Sequence, residues 1–214
     1  MSNVKKRRQA DLARQRRVRL ALTALVLALA AAAVLAVTLQ KKPAALGRND
    51  VLFELPDAQG KVTAVRSDGR PVVLELFATW CPYCAYESQY DLPAIRSFVE
   101  GQGARFIAVN ATPYVGVAQA GPQGHPEQGQ EGSRAPASSD KDIQAAVQEY
   151  AGRYHYDGPL FYDRDMKLAT QLGLQAYPTF VILDGRGRVL DKHEGMISVQ
   201  DFEAWYRATV GSGR

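Results

Sequence analysis

Cysteine is scarce in this chain, with two in 214 residues. That excludes a scaffold held by several disulfides and a four-cysteine zinc site. Histidine is nearly as sparse: His125, His155 and His193 are scattered, so no metal site is expected. Internal repeats are absent. The body also lacks positive charge. Residues 1–19 hold eight basic residues and one acid, Asp11, and carry +7, whereas the whole chain is only +4, which leaves −3 for residues 20–214. A phosphate-binding groove has no support from that balance, and no nucleic-acid partner is expected. At 46% hydrophobic and 22% charged, the remainder has the composition of a folded domain.

What is present begins with one apolar run. Residues 20–39, LALTALVLALAAAAVLAVTL, hold 20 residues without a charge, glycine or proline. As a helix the run would span about 30 Å, the thickness of a bilayer's hydrocarbon core. The basic residues lie mostly before it, with Lys41 and Lys42 just after, which sets the N-terminus inside the cell. The expected order is a cytoplasmic tail at 1–19, a transmembrane helix in the lipid bilayer at 20–39, a polar linker at 40–50 and an external domain. That describes a single-pass protein of the bacterial cytoplasmic membrane, its domain periplasmic or extracellular. A cleaved signal peptide is the competing reading, although such peptides have shorter apolar cores, about 7–15 residues. A buried soluble helix is a third, opposed by Ala and Leu around the whole circumference.

Residues 51–212 read as an α/β domain. VLFELPD and KVTAVRSDGR around Gly60 suggest a β-hairpin. Val72–Ala78 (VVLELFA) is nearly continuous apolar sequence, as in a strand buried on both faces. A helix over Pro82–Glu100, kinked at Pro93, should follow, then a strand over Arg105–Asn110. Residues 113–140 are rich in Gly, Pro, Gln and Ser and read as a loop or flexible insertion. After it come a helix over Asp140–Arg153, a short strand over Leu160–Tyr162 and a helix over Arg164–Leu172 closed by Gly173. A hairpin over Thr179–Asp184 and Arg188–Glu194 follows. Ser198 should cap a last helix, Val199–Val210.

The two cysteines, Cys81 and Cys84, stand three positions apart directly after the buried-type strand. Placed at a helix N-terminus, Cys81 would be favoured as a thiolate by free backbone N–H groups and the macrodipole. Thiolate is the attacking species in disulfide exchange. Cys84, one turn on, could then attack a mixed disulfide at Cys81. Half of a zinc site and an inert structural disulfide are the alternatives. The first lacks further ligands, and the second would close too small a loop to stabilise much.

ELFATWCPYC resembles the active site of the thioredoxin fold, and Tyr177–Phe180 (YPTF) resembles its cis-proline loop. More narrowly, the chain resembles the TlpA/ResA-like membrane-anchored thiol–disulfide oxidoreductases over about residues 50–210. The resemblance implies a central mixed sheet flanked by helices, with the hairpin ahead of it. It implies a cis Pro178 facing Cys81 and Cys84, where Tyr177 and Pro178 shape a substrate groove. It implies activity as a protein disulfide reductase on exported proteins such as apocytochrome c, recharged by a membrane thiol electron donor. No cofactor is expected, because the two sulfurs carry the electrons; a monomer is expected. Trp80, Pro82 and Tyr83 should form a docking rim.

Two features depart from that pattern. Glu75, six residues before Cys81, replaces the neutral residue many TlpA-like chains carry there; a buried carboxylate at this place could relay the proton of Cys84. Pro82 follows the first cysteine directly, as in DsbA-type oxidases, which keeps open an oxidase or isomerase of periplasmic disulfides. A copper metallochaperone on the same fold is a rival from another class, but it would use CxxxC with a distant His, and here the spacing is CxxC. A cysteine peroxidase would need a Pro-x-x-x-Thr-x-x-Cys context, which is absent.

Overall fold

In a computed structural model of the chain, residues 50–212 are described. The basic tail, the apolar run and the linker up to residue 49 lie outside them. Among the described residues no helix is long and apolar enough to cross a membrane.

The centre is a five-stranded sheet in the order β7-β4-β3-β8-β9. Its strands are β3 (Val72–Phe77), β4 (Arg105–Asn110), β7 (Leu160–Tyr162), β8 (Thr179–Leu183) and β9 (Val189–Glu194). β3 pairs parallel to β4 and antiparallel to β8, so the sheet is mixed, as the resemblance implies. β1 (Val51–Pro56) and β2 (Val62–Arg66) form the expected hairpin, tied to the edge strand β7 through Ala58 N–H, which donates to Leu160 O at 3.0 Å. β3 is buried at every position, because both faces of the sheet are covered.

Alternation along the strands sorts the core into two layers. Leu74, Leu76, Ile107, Val109, Val181 and Leu183 pack on the hairpin's Leu52, Phe53 and Val65 and on α4 (Lys167–Gln171). Val73, Phe77, Phe106, Phe180 and Ile182 face the other way, towards α1 (Pro82–Tyr90), α2 (Leu92–Gly101), α3 (Asp140–Arg153) and α5 (Val199–Ser212).

Three local readings change. The single kinked helix is two, α1 and α2, parted at Asp91. Pro93 lies in the first turn of α2, where its missing N–H leaves no helical bond unmade. α4 is shorter than Arg164–Leu172 because Asp163 caps it: its carboxylate accepts the N–H groups of Lys167 and Ala169 at 3.0 and 2.8 Å. Residues 113–140 contain a short ladder between β5 (Tyr114–Val115) and β6 (Ala135–Pro136), and a 3-10 turn at Pro126–Gln128. Their composition carries no periodic signal because main-chain bonds and a few scattered small side chains, such as Val115, Val117 and Ala118, make their contacts.

Candidate active site

The chain leaves β3 at Phe77, turns through Ala78–Trp80 and enters α1 at Cys81. The turn is fixed by Cys81 N–H donating to Ala78 O at 3.0 Å, and by Asn110 at the end of β4, whose Oδ1 accepts Thr79 N–H at 3.1 Å. Cys81 is the N-cap of α1, with extended backbone, and Pro82 occupies the first turn. Both cysteines are reduced and buried; Cys81 keeps 5% of its surface exposed and Cys84 none.

Their environments differ in sign. Cys81 is pulled down to about 7, chiefly by a hydrogen bond from the Cys84 thiol, helped by the amides of Cys84 and Tyr83 and opposed by burial and by the charge of Glu131. Cys84 is pushed well up by burial, by its hydrogen bond to Cys81 and by the nearby charges of Cys81 and Glu75. One sulfur is therefore ready to attack at neutral pH, and the other holds its proton until a base takes it.

Glu75 is the strand residue on the α1 face of β3, 1% exposed, with Oε1 lacking a hydrogen-bond partner. Burial raises its carboxyl to about 8. Its carboxylate does not reach solvent. Glu87 is a second buried acid, which the sequence reading passed over. It lies on α1 one turn beyond Cys84; its Oε1 accepts Ile197 N–H at 3.1 Å, and its Oε2 is unpartnered. Burial first, then the charge of Glu75, push its carboxyl well above the usual range. An acid on a short helix ordinarily reads as solvent-facing; the available signal was its three-residue spacing from Cys84, which puts both on one helix face.

The opposite side of the site is the loop before β8. The Tyr177–Pro178 bond is cis, and Pro178 O accepts Gly195 N–H at 2.8 Å. The Trp80 ring meets the Tyr177 ring edge-on at 5.6 Å, and its Nε1–H donates to Thr112 Oγ1 at 3.0 Å. Tyr177 hydroxyl donates to Ala111 O, and burial raises its pKa. Tyr83 is 44% exposed beside the buried cysteines; Pro82 is half-buried. Trp80 and Tyr177 thus meet as one aromatic edge, with Tyr83 standing clear. His193 packs against Trp205 at 5.9 Å between ring centres.

Comparisons with known proteins give the family and the fold. The family model Redoxin matches residues 41–205. Thiol-disulfide oxidoreductase ResA of Halalkalibacterium halodurans is 24% identical over 158 residues, 73% of each chain. Thiol:disulfide interchange protein DsbE of Pseudomonas fluorescens biotype C is 25% identical over 176 residues, 79% of this chain and 80% of its own. A solved structure from Chlorobium tepidum, a candidate DsbE, shares the fold with a TM-score of 0.50 and 20% identity, covering 78% of this chain and 98% of that one.

Proposed function

This chain belongs to the Redoxin family, and on that footing we propose that it is a thiol–disulfide oxidoreductase working through Cys81 and Cys84. The observation that carries the proposal is the asymmetry of the pair: a lowered thiol at a helix N-terminus, and a raised, fully buried thiol one turn on, with a buried acid beside it.

The Cys81 thiolate attacks one sulfur of a substrate disulfide, forming a mixed disulfide and releasing the other substrate sulfur as a thiolate. Cys84 then gives its proton to Glu75 in the fraction of molecules where that carboxyl is ionised, a fraction that grows towards pH 8, and attacks Cys81 Sγ. The second substrate thiolate leaves, the protein is left as the Cys81–Cys84 disulfide, and two electrons have passed to the substrate. Glu75 is the base for Cys84; Glu87, alongside, keeps a second proton in the same dry region. Tyr177, Pro178, Trp80, Pro82 and Tyr83 shape the surface on which a substrate segment lies.

We read the direction as reductive. Burial and the Glu131 charge oppose the lowering of the Cys81 thiol, and a less stabilised thiolate favours giving up electrons. Disulfides of exported proteins, such as the haem-site cysteines of apocytochrome c, are the substrate class, and a membrane thiol donor recharges the pair. The apolar run at 20–39, with its basic N-terminal flank, supports a membrane-anchored protein with this domain outside the cytoplasm. Pro82 directly after Cys81 favours the second reading, an oxidase or isomerase. A reduction potential near −270 mV supports the reductase, and one near −120 mV the oxidase.

The two-step mechanism is tested by trapping. Cys84→Ser should accumulate mixed disulfides through Cys81, seen on non-reducing gels of cells expressing the full chain, whereas Cys81→Ser should give none. Failure of Cys84→Ser to capture any partner would count against the mechanism.

A further inference from the structure

The insertion at 113–140 is built onto the active-site turn through main-chain contacts. Ala118 N–H donates to Thr79 O at 2.8 Å, and Gly132 N–H donates to Trp80 O at 3.0 Å, one residue before the nucleophile. Gly129 passes so close to Pro82 that a Cβ on it would fall 2.9 Å from Pro82 Cβ, so a side chain there would force the strap away from α1. The strap is braced from behind: Gln119 and Gln130 exchange both main-chain bonds at 2.9 Å, and Tyr154 hydroxyl donates to Ala118 O at 2.7 Å.

This wall carries two charged side chains beside the active-site turn. Glu131 directly precedes Gly132. Arg134 approaches it, with Nε 3.8 Å from Glu131 Oε1, and both side chains are about half exposed. The Arg134 guanidinium lies 4.7 Å from the centre of the Trp80 ring and 5.5 Å from that of Tyr114. The other titratable groups facing Cys81 are Cys84 and Glu87 from α1, Tyr177 from the cis-proline loop and, behind Cys84, Glu75 from β3. These carboxyls are buried and pushed towards their neutral forms, so the charge of Glu131, with Arg134 as its counter-ion, is the formal charge that bears on Cys81 from the insertion.

We propose that the 113–140 insertion is an electrostatic wall of the site, in which Glu131 and Arg134 act as opposed positioning residues that set the redox balance of the dithiol. The inference rests on the dithiol reading above and adds to it the source of the reducing bias. A negative charge beside Cys81 disfavours its thiolate, and a dithiol with a less stable thiolate gives up its electrons more readily. The charge of Glu131 does oppose the lowering of the Cys81 thiol. Arg134, paired with Glu131 and stacked on Trp80, tempers that effect.

The test uses the sign of two substitutions. In redox equilibrium between the full-length protein and glutathione, two glutathione thiols reduce one protein disulfide and leave one glutathione disulfide. Glu131→Gln should shift this equilibrium about threefold towards the dithiol, a rise of about 14 mV in potential. Arg134→Gln should shift it the opposite way by a similar factor, because it strips Glu131 of its counter-charge. The double variant should follow Glu131→Gln, because Arg134 then has no charge left to temper. The pH midpoint of Cys81 alkylation by iodoacetamide should fall for Glu131→Gln and rise for Arg134→Gln, and both effects should shrink in about 1 M salt. A wall that acted only by bracing the turn would move both variants in the same direction; that result, or no shift in either, overturns the inference while leaving the dithiol mechanism standing. A parent protein that does not equilibrate with glutathione at all would overturn both.

Discussion

β3 sends Val72, Leu74 and Leu76 to one side of the sheet and Val73, Glu75 and Phe77 to the other. The first side is closed by the β1–β2 hairpin and α4 and is lined by apolar side chains; the buried acid beside it, Asp163, spends its carboxylate on α4 amides. The second, under α1, α2, α3 and α5, holds a larger apolar cluster together with two buried carboxyls, Glu75 and Glu87, and both cysteines. Strand propensity and burial are alike on the two sides, so neither explains the difference. The second side carries groups whose ionisation burial opposes, and an unpaired buried polar atom costs stability. The protein tolerates them where proton transfer to and from Cys84 requires a dry base, and the apolar side offsets the cost.

Substitutions can break this contrast. The largest expected effect lies on the apolar side. Leu183→Ala, fully buried at the far end of β8 from Pro178, should cost about 2–5 kcal/mol in denaturant unfolding. Its exchange rate per folded molecule should be almost unchanged; a large rate loss would show that the two sides are not separable.

On the other side Glu75→Gln should do the reverse. The resolving step should slow roughly 10²-fold at pH 7, and the rise in its rate with pH towards about 8 should disappear. The same variant should alter stability in a defined direction. The folded protein holds the Glu75 proton up to about 8, whereas the unfolded chain releases it near 4.5. Wild-type stability therefore falls as pH rises from 4.5 to 8, by roughly 3 kcal/mol from this group by pH 7. Unfolding at pH 5 and pH 8 should show the Gln variant gaining on wild type as pH rises. A constant difference would mean that Glu75 is not held neutral. The smallest effect belongs to the rim. Thr112→Val removes the acceptor for Trp80 Nε1–H and should cost about 1 kcal/mol of stability, with a modest rise in KM for peptide disulfides and little change in kcat.

Much of this was legible in the linear chain, because the relevant signals are short. The alternation over Val72–Ala78 identified a strand buried on both faces, and β4, α3 and β7 have the bounds expected from their patterns. The three-residue spacing of Cys81 and Cys84 placed them on one helical turn. The position of Pro93 was read as a kink, but Asp91 ends one helix and starts the next, a choice made by the packing of two helices. The sequence pattern starts this helix at Arg164, and only the fold shows the Asp163 carboxylate capping α4 from Lys167 on. Glu87 carries only its three-residue spacing from Cys84 as a local mark, and nothing in their own neighbourhoods marks the pair Glu131–Arg134.

Sequence alone determined the dithiol and the strand that feeds it, since each depends on a repeat of two residues or on one helical turn; the burial of Glu75 came from the fold. Tertiary structure decided how hard each group holds its proton. Desolvation belongs to every neighbour that excludes water, and for Cys84, Glu75 and Glu87 those neighbours come from α1, the sheet and the segment before α5. It also decided that a glycine-rich insertion lies against Trp80 and Pro82, because the bonds that hold it there join main-chain groups dozens of residues apart.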